Sequence, residues 1–240
     1  MFDDDGDDDD WESRANRVYA PVVRYRSLNN SEIDAAMDWR AELGVEVEGG
    51  DWPSGDLIAG RINFLTIRLH EFNVFDILDQ FSDAAVAFAD LFEGGYLLPE
   101  IDDDLISYDT ALILLDVYVA PPFRGRRLGA WMTCQLISRM APSIHTIVFA
   151  HPYPRSEGPF EEVDSVGRRK LLRYGQLTGL APVEGHPGFL SGSPAFTGLD
   201  EARHELAALR DVEFSDVDLN DPGILALNED LIAGWQPRPV

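Results

Sequence analysis

The chain has 240 residues, 45% of them hydrophobic, and 43 acidic against 19 basic side chains give it a formal net charge of -24. That length buries a substantial core in one large or decorated domain, and that charge repels nucleic-acid backbones. A single cysteine, Cys134, excludes an internal disulfide framework and a cysteine-cluster zinc site; no run approaches a membrane span, and the N-terminus is acidic where a secretory signal is basic, so a cytoplasmic location is expected.

Met1–Asp10 holds seven aspartates and almost nothing to bury, which predicts a disordered tail over residues 1–15. The tail either solubilises the chain or serves as an arm for a basic partner. Val18–Arg26 reads as the first strand. Ser31 and Asp34 have the spacing of a capping box, which predicts a helix to about Leu43, and Gly44–Gly55 is turn-rich. Leu57–Leu69 alternates and is rich in β-branched residues, predicting a long strand bent near Gly60. Asn73 and Asp76 open a helix in which Val74, Ile77, Leu78, Phe81, Ala85, Phe88 and Phe92 follow three-four spacing, ending near Gly94. Residues 95–110 form an acidic loop.

The most informative stretch follows. Ala111–Val119 reads as a buried strand, Arg124–Arg127 as a tight basic turn, and the run from about Arg127 to Met140 as a helix that stops before Pro142. The first turn of a helix leaves backbone N–H groups without partners, and the helix dipole adds partial positive charge there, so a docked diphosphate satisfies both. Gly125 and Gly129 let the backbone come close to such a ligand, while Arg124, Arg126 and Arg127 offer charge-assisted bonds. Cys134 sits inside this helix as a buried, inert thiol.

Residues 121–140 carry four arginines and no carboxylate, and residues 166–180 carry Arg168, Arg169, Lys170 and Arg173, again with none. Two positive islands in an acidic chain focus an anionic ligand. His145–Ala150 supplies another short strand, and the helix before it makes it a parallel partner of 111–119. Beyond the stiff His151-Pro152-Tyr153-Pro154 loop, a helix covers 168–180, a strand 181–190, and helices 201–210 and 223–233 complete the chain. Histidines 70, 145, 186 and 204 are too scattered to argue a metal site.

Leu114–Met132 resembles the acyl-CoA motif of the GNAT N-acyltransferase superfamily, a strand running into Arg/Gln-x-x-Gly-x-Gly/Ala and then a helix. Arg124 stands at the Arg/Gln position, Gly129 at the final Gly/Ala, Arg126 and Leu128 at variable positions, and Arg127 where the first motif glycine usually sits. Arg168–Leu180 resembles the superfamily's late helix. Aligned on Gly179, Gly175 takes the place of the frequent general-acid tyrosine and Tyr174 stands one residue earlier, a rotation of about 100°.

The resemblance implies an α/β (α+β) fold: a central, mixed, strongly twisted sheet with helices on both faces and a splayed strand pair that admits the acyl-pantetheine arm. It implies an acyltransferase domain over 16–200 with a C-terminal extension, 201–240, packed on it. The donor is acetyl-CoA and no metal is required. Val117, Tyr118 and Val119 face the arm; Arg124, Gly125, Arg126, Arg127, Leu128, Gly129 and Ala130 hold the diphosphate; and the second island is either a solvated helix face or a contact to the CoA 3'-phosphate.

Tyr174 is either an acid for the departing thiolate or a core aromatic. Bases in the superfamily often share the face of positions 113 and 115, here Ile113 and Leu115; Asp116 lies on the other face unless a bulge re-aims it, and is either the base or a carboxylate paired with an arginine. Asp109, Glu161, Glu162 and Asp164 are loop alternatives, while His151 and Tyr153 either line the acceptor pocket or merely follow the strand's end. The function implied is an acetyl-CoA-dependent N-acetyltransferase acting on a primary amine of a small molecule or protein. Its alternative is a catalytically degenerate member that binds acyl-CoA as a sensor or interaction module. No nucleic acid or membrane partner is expected, and a homodimer is left open.

Overall fold

Period-two burial, rather than the capping signal, decides the first third of the chain. In the computed structural model, residues 17–28, 34–48, 52, 56–102, 105–152, 165–215 and 217–233 are described. Arg17–Ser27 (β1), Ala36–Glu48 (β2) and Asp56–Arg68 (β3) form an antiparallel meander. The helix expected up to Leu43 is therefore corrected to a strand: Ala41, Leu43 and Val45 are buried at alternate positions, and β2 is hydrogen-bonded to a neighbour on each side. Cross-strand pairing over 13 residues outweighs one local cap, and Ser31 lies outside the described residues. The bend expected near Gly60 is a bulge, in which Gly60 faces Leu43 and Ile58 faces Gly44 with Ala59 extra between them.

The helix expected from Asn73 to Gly94 is broken in two. Asn73 Oδ1 accepts from the Phe75 amide at 3.1 Å and starts Val74–Leu78 (α1); Ser82, in extended backbone, accepts from the Ala85 amide at 3.2 Å and starts Asp83–Val86 (α2). A 3-10 turn over Ala87–Leu91 follows, then a hairpin of Phe92–Glu93 (β4) and Tyr96–Leu97 (β5). The apolar face survives the break, since Val74, Ile77, Leu78, Ala85 and Phe88 are all buried.

Thr110–Val119 (β6) pairs antiparallel with β3, and Leu128–Met140 (α3) crosses over to Thr146–Ala150 (β7), which pairs parallel with β6. After Ser165–Gln176 (α4), the single strand expected over 181–190 is instead a hairpin of Ala181–Pro182 (β8) and Leu190–Gly192 (β9). Among the described residues the main sheet is mixed and seven-stranded, in the order β1-β2-β3-β6-β7-β9-β8.

Thr197–Glu205 (α5), Pro222–Leu227 (α6) and Glu229–Ala233 (α7) complete the described chain. One core fills the sheet face under α3, with Phe64, Leu112, Leu114 and Met132; the other fills the face under α1 and α2, with Leu65, Ile67, Ile113 and Phe149. The C-terminal segment belongs to the first core. Phe214 exchanges backbone bonds with Val18 at 2.9 and 2.8 Å and packs its ring edge-on to Phe123, and the Asn228 carboxamide bonds both Ile58 N–H and Ile58 C=O as a strand neighbour would. The expected acidic tail, residues 1–15, lies outside the described residues. Among the described residues no helix is long and apolar enough to cross a membrane.

Candidate functional site

The site grows from the second half of β6. β7 accompanies β6 only over Thr110–Leu114, ending opposite Leu114 at Ala150, while β6 runs on to Val119. Pro152, two residues past the end of β7, has no N–H to extend the ladder. In a strand flanked on both sides in the sheet order, Val117 is nevertheless 44% exposed. Among the described residues, β6 therefore runs on along Leu115–Val119 without β7 beside it.

β6 also carries an extra residue. Phe64 faces Leu114 and Asn63 faces Asp116, so Leu115 is the bulge. Because Leu65 faces Ile113 and Asn63 lies two residues along the same regular strand, the bulge puts Asp116 on the Ile113 face. Alternation alone assigned it to the opposite face, and the bulge is the re-aiming device. Cross-strand register then sets Arg26, Arg40, Asn63 and Asp116 in one row over four strands, with Arg40 Nε donating to Asn63 Oδ1 at 3.0 Å. The Arg40 pKa is lowered, by burial first and then by the neighbouring charges of Arg26 and Arg61. Sequence reasoning missed Arg26, Arg40 and Asn63; the signal was the alternation of Asp38, Arg40 and Glu42 with apolar residues, hidden by the expected helix.

β6 ends in a turn of left-handed residues. After a 3-10 turn at Pro121–Phe123, Gly125 has φ +78° and Arg127 φ +59°, and Arg127 stands at the N-cap of α3 without a side-chain cap. A non-glycine residue there is strained, and the Arg127 side chain is carried outward, exposed. Arg124 folds back, its Nε donating to Val119 O at 2.8 Å and its guanidinium carbon 5.4 Å from the Tyr118 ring centroid. Arg126 lies 4.6 Å over the Phe214 ring.

The start of α3 holds the decisive contact. The Ala130 amide donates to Tyr174 Oη at 3.0 Å, and the Gly129 amide bonds the same oxygen. Tyr174, on α4, therefore puts a phenol oxygen where helix geometry favours an anion. Its pKa is raised, by burial first; the two amide bonds and the Arg127 charge act the other way. Gly129 packs closely here: a Cβ would lie 3.1 Å from Tyr174 Oη and 3.3 Å from Val119 Cγ2, so those side chains would give by a few tenths of an ångström. Gly175, at the superfamily's tyrosine position, is where α4 presses on its neighbours: a Cβ would lie 2.5 Å from Leu190 Cδ1. Any larger side chain there makes the Leu190 side chain give way.

The other candidates are dispersed. His151 stacks on Phe189 with centroids 4.3 Å apart and meets Phe88 edge-on, so its ring is part of an aromatic cluster. Asp109 accepts from Thr110 Oγ1 at 3.0 Å at the opposite end of β6, roughly 30 Å of strand from the turn. Tyr153, Glu161, Glu162 and Asp164 lie outside the described residues, as does the side chain of Arg168. Arg169, Lys170 and Arg173 are exposed along α4. Burial pushes the Cys134 thiol up to about 12, which fits an inert core residue. Among the described residues no group of three or more metal-ligating side chains gathers. No protein-family model, curated protein or solved structure matches this chain.

Proposed function

We propose that the chain is an acetyl-CoA-dependent N-acetyltransferase of the GNAT superfamily, acting on a primary amine of a small molecule or protein. The observation that carries the reading is the end of the β6–β7 pairing at Leu114 while β6 runs on to Val119 before the turn into α3, which in this reading leaves a slot for the acyl-pantetheine arm. A crossover helix entered through a basic left-handed turn, and one parallel pair flanked by antiparallel strands, fit the superfamily's architecture.

In this reading the pantetheine arm runs along Leu115–Val119 and the diphosphate meets Gly125–Ala130. Tyr174 Oη holds the diphosphate's place beforehand. It is a neutral acceptor, and a phosphate oxygen displaces it because charge-assisted bonds are roughly twice as strong as neutral ones. Transfer then needs the amine deprotonated and aligned on the thioester carbonyl, a donor to the oxygen where negative charge builds, and a proton for the sulfur as the C–S electron pair leaves with it. Asp116, turned beside Asn63 by the bulge, is the base; a backbone N–H of Val119 or a neighbour serves the oxygen. Tyr174 lies at the diphosphate end of the arm, too far from the sulfur to protonate it, so the proton that Asp116 takes from the amine is passed on to the departing thiolate.

The second reading, a degenerate member that binds acyl-CoA as a sensor or interaction module, is favoured by two observations: Arg127 in place of the motif glycine, and a Tyr174 oxygen already engaged by two amides. Calorimetric titration with CoA, paired with thiol release from acetyl-CoA over a panel of amines, separates the two. Binding with turnover supports the transferase; binding without turnover on any amine supports the sensor; absence of CoA binding rejects both.

A further inference from the structure

A cavity of about 630 Å³ opens between β1, α3 and α5 with the 3-10 turn Ala207–Asp211 that follows it. Its wall joins the rings of Tyr25 and Trp131 to four basic groups, Arg139, Arg203, Arg210 and His204, and includes no carboxylate. In a chain with 43 acidic and 19 basic side chains, that lining is a local reversal of charge. The phosphate turn contributes none of its residues to it.

Trp131, only 4% exposed, forms part of the cavity wall while its indole Nε1 is turned into the protein, buried and without a hydrogen-bond partner among the described residues. Arg203 is held in place, with Nη1 donating to Ser138 Oγ at 2.6 Å and Nη2 3.1 Å from the Asp200 carboxylate. Arg139 and Arg210 are exposed at the rim. Burial pushes the Tyr25 phenol up to about 12, so it stays a neutral donor.

We propose that this cavity binds a small organic anion carrying an aromatic ring. The ring lies against Tyr25 and Trp131, and the anionic group sits among Arg139, Arg203 and Arg210. The shared chemistry is an aryl acid, whether its charge comes from a carboxylate, a phosphate or a sulfonate.

The test uses the full chain and the aryl sulfonate 8-anilinonaphthalene-1-sulfonate, whose emission rises when it leaves water. Saturable one-to-one binding is expected, weakened by roughly tenfold or more in the R139E/R210E double variant. Affinity should be unchanged in R124A/R126A, which alters the other positive site. Thermal unfolding of R139E/R210E at the wild-type temperature shows that its loss is not unfolding. Should that variant melt early, the single R139A variant gives the same direction with a smaller loss. Non-saturable binding, an affinity indifferent to R139E/R210E and R139A, or an equal loss in R124A/R126A would overturn the proposal.

Discussion

The two halves of β6 are the same strand in two different situations. Thr110–Leu114 has β3 on one side and β7 on the other, and Ala111, Leu112 and Ile113 are fully buried with Leu114 nearly so; Leu115–Val119 keeps β3, runs past the end of β7, and exposes Val117. By composition the halves are hard to tell apart, since Leu115, Val117, Tyr118 and Val119 are as strand-prone as Ala111–Leu114. What differs is the partner: β7 stops at Ala150, and the proline two residues later cannot continue its ladder. A hydrophobic run in mid-sheet is therefore covered or exposed according to the length of its neighbour.

The sharpest way to break that contrast is to put the same charge in each half. Ile113→Asp buries an unpaired carboxylate in the core under α1 and α2 and should cost more than about 4 kcal/mol, leaving the chain unfolded or nearly so in urea titration. Val117→Asp should change stability by less than about 1 kcal/mol while abolishing CoA binding. Equal destabilisation by the two would mean that the slot is core.

Gly129→Glu comes next. It sets a side chain and a negative charge against Tyr174 Oη and the α3 amides, so CoA affinity measured by calorimetry should vanish while the far-ultraviolet circular dichroism stays native. Unchanged affinity would remove the turn from the site. Tyr174→Phe has a smaller effect with opposite signs in its two readouts. Losing the oxygen leaves buried amides without their acceptor at a cost of about 1–3 kcal/mol in stability, whereas CoA binds more tightly because nothing has to be displaced. Weaker CoA binding in that variant would make the phenol a ligand contact.

The mildest effect is in the alkaline range. Cys134 is raised from the ordinary 9.0 and Tyr25 from 10.0, each to about 12, chiefly by burial. The folded state holds these protons after the unfolded chain has released them, so their contribution is whole below pH 9 and is lost as pH rises toward 12. The urea midpoint should fall across that window, and less steeply in Cys134→Ala. A flat profile would contradict the burial of both groups.

Much of this was legible in sequence where local chemistry and tertiary pairing agree. The strands over 18–26, 57–69, 111–119 and 145–150 and the helix after Arg127 carry their own periodicity, and the basic turn declares itself against an acidic background. Ala36–Glu48 was misread because Ser31 and Asp34 look like a cap, while the partners that make the segment a strand, β1 and β3, are distant pairings a local window does not see. The helix of 74–92 kept its face but not its continuity, since Ser82 competes for backbone hydrogen bonds and starts a second helix. At the site, the location of the turn was readable but its contacts were not. The Leu115 bulge that re-aims Asp116 exists only in the register with β3, and the bond from Ala130 to Tyr174 spans 44 residues.

On the proposed function, the amides opening α3 exchange Tyr174 Oη for the diphosphate of coenzyme A. Titration with CoA followed through the backbone amide resonances of Gly125, Arg127, Gly129 and Ala130 tests it most directly. Saturable shifts are expected at all four, largest at Gly129 and Ala130, where the acceptor changes from phenol to phosphate. CoA binding that leaves those two amides in place, or an absence of saturable shifts anywhere, would contradict it.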